Sequence, residues 1–412
     1  MRSRRRRTRA IAWLLAVRAV LAAAAAGAQS IDGFPDSRFL EQREAFTPTA
    51  GAPLELRFLI AREAGGQTTR VVNATHAALT MLSQWFGPLA TSSLTVAGVP
   101  WRSGVAIVRP GVVTTPLHWL VPVRDQSTER AVIAAVVRLY WPLGDAPSPF
   151  EEALTVYTGI RAIHHLLEGS NFESPRFFGG FVPFPLRSVL LSPPVGDPRP
   201  RVRDFAELAP SPNQADAVVR GVRALQTIER YVGWPTLLEA LSRVRESGRH
   251  DAEGLAAALS EARGTDLRYL VAECLRADAV FDYSLDGLQS TPGAAGLVET
   301  TVTIGRHGSG RFAISEEEGD RNATMPLLVR FADGKEARDY FDGAKPSSTF
   351  LYSARTPAVA ARIDPDAMLL LDIDRDNNAI VHDAPASRLG IRLALNWMAW
   401  LQNAMLSYTA LL

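Results

Sequence analysis

Thr128-Glu129-Arg130-Ala131-Val132-Ile133-Ala134-Ala135-Val136-Val137-Arg138-Leu139-Tyr140-Trp141-Pro142, followed after a short loop by Phe150-Glu151-Glu152-Ala153-Leu154-Thr155-Val156-Tyr157, is the stretch that decides the reading of this chain. The first run predicts a helix over 128–140 that is apolar nearly all round, and therefore buried. Pro142, Gly144, Pro147 and Pro149 interrupt it. A second helix is predicted over 151–167, with Glu151 and Glu152 in the first turn, where the helix dipole favours negative charge.

Working outward, Val71, Ala74, Ala78, Leu79, Leu82 and Trp85 recur at helical spacing over 68–86, and Gly87-Pro88 stops that helix. Leu54–Ile60, Ser93–Ala97, Val105–Val108 and Val112-Val113 read as strands, the last two around a turn at Pro110-Gly111. Beyond a Pro-rich stretch from Phe177 to Arg203, helices are predicted over 214–231, 235–246, 252–261 and 266–275, with Asp251 as an N-cap. From Thr291-Pro292-Gly293 the pattern becomes alternating. Strands are predicted over 297–304, 311–314, 325–331, 349–352, 359–363 and 368–372, with Asp333-Gly334 as a hairpin turn. About six short strands imply a small β-sandwich. The fold class is α+β.

A length of 412 residues allows two or three domains. Forty-four basic against 43 acidic residues leave a net charge of +1, which gives no electrostatic case for nucleic acid. The single cysteine, Cys274, excludes an internal disulfide and a Cys/His zinc cluster, and reads as a buried small hydrophobe. Arg2, Arg4–Arg7 and Arg9, an apolar run to Ala26 and the small-x-small site Ala26-Gly27-Ala28 have the layout of a secretory signal over 1–28. Arg18 interrupts the apolar run, so cleavage after Ala28 and an uncleaved anchor both stay open. The last segment, 385–412, carries an amphipathic helix with Arg392, Asn396, Asn403 and Ser407 on one stripe. Docking on the protein body, contact with a membrane surface and a true span stay open for it.

Several runs in order resemble the M1-type (gluzincin, thermolysin-like) aminopeptidases: Ser83-Gln84-Trp85-Phe86-Gly87-Pro88 with the following strand, Tyr140-Trp141-Pro142, Phe150–Tyr157, Val218-Val219-Arg220-Gly221, and Asp372-Ile373-Asp374-Arg375-Asp376-Asn377-Asn378. The resemblance implies a mainly helical thermolysin-like domain, then the β-sandwich and the C-terminal helix. It implies a catalytic-domain half over 67–175, a helical half over 176–290, a sandwich over 291–384, and a remnant or linker over 29–66. The family chemistry needs a H-E-x-x-H helix, two histidines binding zinc and a glutamate activating water. Counted back from Tyr140-Trp141, the ligand positions fall on Ala134 and Arg138 and the base on Ala135. The third-ligand glutamate corresponds to Glu152, with Tyr157 in register, and the transition-state tyrosine to Val218. The glutamate that holds the substrate amino terminus has Val105–Arg109 as its nearest counterpart and is absent.

The resemblance therefore implies a degenerate, zinc-free pseudopeptidase, with an Arg138–Glu152 pair where the metal would sit and no cofactor. It further implies a peptide or protein ligand in the vestigial cleft, while the signal-like segment over 1–28 points to a periplasmic or envelope location and the near-zero net charge to no nucleic-acid partner. Two alternatives stay open: an active hydrolase built on Glu151, Glu152, His164 and His165, and a C-terminal remnant of a longer enzyme. His76, His118, His250, His307 and His382 have no ligand spacing. Asp372, Asp374, Asp376 and Asp383 imitate a calcium loop, but Asn377 stands where that loop needs glycine.

Overall fold

A computed structural model describes residues 38–48, 52–100, 108–109, 111–117, 126–141, 147–168, 212–315, 325–382 and 397. The chain forms two compact units, residues 1–142 with 162–169, and residues 143–161 with 170–412.

In the first unit a five-stranded sheet runs in the order β1-β2-β3-β5-β4. Its strands are β1 (Phe39–Phe46), β2 (Leu54–Ala61), β3 (Ser93–Pro100), β4 (Val108–Arg109) and β5 (Val112–Leu117). β2, β3 and β5 pair in parallel, and β1 and β4 close the two edges antiparallel. Helix α1 (Thr68–Phe86) crosses from β2 to β3, as a parallel pair requires. Leu56, Phe58 and Ile60 alternate onto one fully buried face of β2, while Leu59 and Ala61 join Phe39, Ala97 and Val99 on the other. Burial on both faces explains the continuous apolar run Phe58–Ala61, while exposed Glu55 and half-buried Arg57 keep the start of β2 alternating. Helix α2 (Ser127–Tyr140) packs on α1, and Arg70 of α1 forks onto Glu129 of α2 at 2.7 and 2.6 Å. The segment expected as a remnant or linker over 29–66 supplies β1 and β2 of this sheet.

The second unit contains α3 (Pro149–Ile163) as far as Arg161, then α4 (Pro212–Val232), α5 (Trp234–Ser247), α6 (Ala252–Arg263) and α7 (Arg268–Leu275). Asp251 caps α6, accepting the Gly254 N–H at 2.6 Å. Two antiparallel sheets follow, ordered β10-β7-β6 and β12-β11-β8-β9. Their strands are β6 (Tyr283–Pro292), β7 (Val298–Arg306), β8 (Met325–Phe331), β9 (Glu336–Phe341), β10 (Ser347–Ala354), β11 (Ala358–Ile363) and β12 (Ala379–Val381). The sheets are tied by Ala358 N–H donating to Ser290 Oγ at 3.3 Å and by His382 Nε2 against the Leu288 carbonyl at 3.2 Å.

Three sequence expectations change here. The β region begins at Tyr283 rather than 291, because a register shift between Leu285 and Gly287 breaks the alternation that would have announced β6. Residues 311–314 and 368–372 are not strands. Their backbone donors go to side chains instead of a ladder: Phe312 N–H to Tyr283 Oη, Met368 and Leu369 N–H to the Asp364 carboxylate, and Leu370 N–H to Thr227 Oγ1. The helical half and the sheets, expected as separate domains, belong to one compact unit. The signal segment, the Pro-rich stretch, Val105–Ile107, His118 and Asp383 lie outside the described residues, as does the C-terminal helix apart from the exposed, helical Trp397.

Candidate functional site

The ligand helix of the resemblance is α2. Ala134 and Arg138 stand one turn apart, both half-buried, and Ala135 beside them is buried. An alanine methyl has no lone pair, and a guanidinium has donors only and repels a divalent cation. These residues do not fit a catalytic zinc, which takes three protein ligands. Arg138 belongs to the first unit and Glu152 to the second.

Glu151 and Glu152 have different roles, as their helical positions dictate. Ser148 is the N-cap of α3: its N–H donates to Glu151 Oε2 at 2.7 Å, and Glu151 N–H donates to Ser148 Oγ at 3.2 Å. This reciprocal capping box spends Glu151 on the helix start. Glu152, on the inner face, is buried.

Tyr157 joins α3 to α4. It is fully buried, and its hydroxyl donates to Glu229 Oε2 of α4 at 2.6 Å. Arg161, one turn along α3, reaches Glu229 Oε1 at 3.2 Å and lies 4.4 Å over the Trp234 ring. Burial, and then the Glu229 charge, push the Tyr157 phenol well above its ordinary range. The sequence reading singled out Tyr157 but missed Glu229, Arg161 and Trp234. Glu229 lies 72 residues from Tyr157 and has no local signature.

The run Val218-Val219-Arg220-Gly221 lies on α4. Val218 is buried, and Arg220 Nη2 donates to the Ala279 carbonyl at 2.6 Å. A Cβ on Gly221 would stand 2.6 Å from the Ala153 Cβ, so glycine is what lets α4 cross α3 this closely. Of this run, Gly221 packs α4 on α3, and Arg220 ties α4 to the chain at Ala279.

The remaining candidates separate. His165 sits edge-on to Trp85 at 5.6 Å, and His76 bonds Glu44 at 2.6 Å. Ser284, Asp286 and His307 converge, but one nitrogen, His307 Nε2, faces both Ser284 Oγ at 2.9 Å and Asp286 Oδ1 at 3.2 Å. The Ser284 hydroxyl donates to Asp286 at 2.5 Å, so this is not a relay with a base between acid and nucleophile. Asp372 Oδ1 accepts from Asp374 N–H at 3.1 Å and Asp374 Oδ1 from Asp376 N–H at 3.2 Å, turning the calcium-like run onto its own backbone. Among the described residues, no group of three or more His, Cys, Asp or Glu could hold a metal ion, and no helix is long and apolar enough to cross a membrane. Cys274 is buried, which pushes its thiol up to about 12 and keeps it unreactive.

No protein-family model and no curated protein sequence matches the chain. Among solved structures it is similar to aminopeptidase A of Legionella pneumophila, determined in complex with aspartic acid, at a TM-score of 0.52 and 14% identity. The match covers 81% of this chain and 38% of that one. At that identity the likeness is one of fold. The chain has an aminopeptidase-like α+β fold and spans well under half the length of the enzyme it resembles.

Proposed function

We propose that the chain is an exported, M1-type peptidase-like protein that works without catalytic zinc, binding or scaffolding a peptide or protein partner in the cell envelope. The observation that carries this reading is the ligand helix itself: Ala134, Ala135 and Arg138 stand where two histidines and a glutamate would be needed. Val218 in place of the tyrosine supports it, as does the use of Tyr157 as a buried strut. The exported location rests on the basic-then-apolar layout of residues 1–28, and membrane-surface contact on the amphipathic pattern of 385–412. Glu151 in a capping box counts against the alternative hydrolase, which needed that carboxylate for chemistry.

Metal analysis of the purified full chain tests the reading, together with assays on chromogenic amino-acid substrates. Substoichiometric zinc and no turnover are expected, with and without added zinc. One zinc per chain accompanied by aminopeptidase activity would sink the proposal.

A further inference from the structure

Ser284 and Asp286 of β6 meet His307, one residue beyond the end of β7, over a single glycine. Gly305 lies opposite Ser284 in the ladder, and His307, two residues on, falls on the same face. The register shift between Leu285 and Gly287 leaves Asp286 without an opposing residue. A bulge of this kind re-aims a side chain, and here it sets Asp286 against Ser284 and His307.

The three polar atoms form a tight triangle. Ser284 Oγ stands 2.5 Å from Asp286 Oδ1 and 2.9 Å from His307 Nε2, and the imidazole nitrogen stands 3.2 Å from the same carboxylate oxygen. Ligand atoms bound at right angles to one ion, at about 2.1 Å each, stand about 3 Å apart, so the triangle matches one face of a coordination shell. The space it encloses lies over Gly305. A Cβ on that residue would meet Asp286 Oδ2 and would stand 2.7 Å from His307 Nε2 and 2.9 Å from Ser284 Oγ. Because residue 305 has no side chain, three ligating groups face one open point. Ser284 is buried at the floor of this niche, and His307 is exposed, which gives an entry path from solvent. Arg306 faces the other side of β7, where its guanidinium donates to the Gly343 and Gly308 carbonyls at 2.8 and 2.6 Å.

We propose that Ser284, Asp286 and His307 form a site for a divalent first-row transition-metal ion, with solvent completing its coordination. The imidazole selects such ions over calcium and magnesium, which take oxygen ligands. One carboxylate and one imidazole are fewer strong ligands than a structural zinc site has, so the bound ion exchanges and desalting removes it. The purified chain therefore keeps the low zinc content expected above. The site belongs to the second unit, whereas Ala134 and Arg138 belong to the first, so the two questions are answered separately.

Calorimetric titration of the full chain, dialysed against a chelator and then freed of it, tests this with cobalt(II) chloride and calcium chloride. Saturable cobalt binding is expected, weakened about tenfold or more in His307→Ala and in Asp286→Asn, with calcium binding at least tenfold weaker than cobalt. Asp286→Asn keeps the side-chain shape and decides the matter if His307→Ala does not fold. Cobalt binding of wild-type strength in either folded variant marks adventitious binding at other histidines and overturns the proposal. Absence of saturable cobalt binding, or calcium binding as tightly as cobalt, overturns it too.

Discussion

Replacing Tyr157 by Phe removes one atom from the buried contact between α3 and α4. The hydroxyl sits 2.6 Å from Glu229 Oε2, on a side chain with no solvent exposure. A hydrogen bond to a charged acceptor contributes ~1.5–3 kcal/mol. Arg161 stays on Oε1 of the same carboxylate at 3.2 Å, so Glu229 keeps a cationic partner and the loss falls near the lower end, about 1.5 kcal/mol. Phenylalanine fills the same space, so no cavity cost adds to it. Urea unfolding of wild type and Tyr157→Phe measures the difference, and a cycle with Glu229→Gln isolates the pair. The phenol, raised above its ordinary range, contributes its stability in full below about pH 10, and that contribution is lost as pH rises toward the folded value. Wild type should therefore weaken above about pH 10 more steeply than Tyr157→Phe. A loss smaller than about 0.5 kcal/mol, or identical alkaline slopes, would refute the strut and return Tyr157 to the list of free site residues.

Two further outcomes follow from packing and titration. Gly221→Ala forces a methyl to 2.6 Å from the Ala153 Cβ and should cost ~1–3 kcal/mol, partly offset by the better helix propensity of alanine; a variant as stable as wild type in urea contradicts the close crossing. Burial raises the Asp372 carboxyl to about 7, so its contribution is full below about pH 4 and is lost as pH rises from there through 7. Asp372→Asn does not titrate, and Asn378 Oδ1, buried without a partner among the described residues, can turn to meet its amide. The variant should thus gain on wild type by a few kcal/mol, on the order of 1.4 per pKa unit, between pH 4.5 and 8. Equal urea midpoint shifts for the two proteins across that range refute the assignment.

The local sequence determined much of the helical frame. The run 68–86 shows a full apolar stripe and a Gly-Pro stop, and the structure places α1 over those same residues, because the 3.6 period and the cap are both local. Asp251 was legible as a cap for the same reason. That Ala134, Ala135 and Val218 carry no lone pair is also a fact of sequence, since such a side chain cannot ligate in any fold. The strands were harder. β6 hid behind a bulge, and 311–314 and 368–372 had strand-like alternation while their backbone donors were taken by Tyr283, Asp364 and Thr227. Whether a backbone donor meets a neighbouring strand or a side chain is a question about residues far apart in the chain.

The same distinction governs the site. Sequence pointed to Glu152 and Tyr157 through their register, but it could not supply Glu229 across 72 residues or the capping role of Glu151. Nor could it lay Ala367–Leu370 along α4, which depends on Arg230 and Thr227 meeting backbone groups 137 and 143 residues away. Sequence alone determined that Ala134, Ala135 and Val218 offer no lone pair, because donor atoms belong to residue types. Only the tertiary structure decided what the remaining charged and aromatic residues do, because burial and partner distance are set by chain segments that meet only on folding.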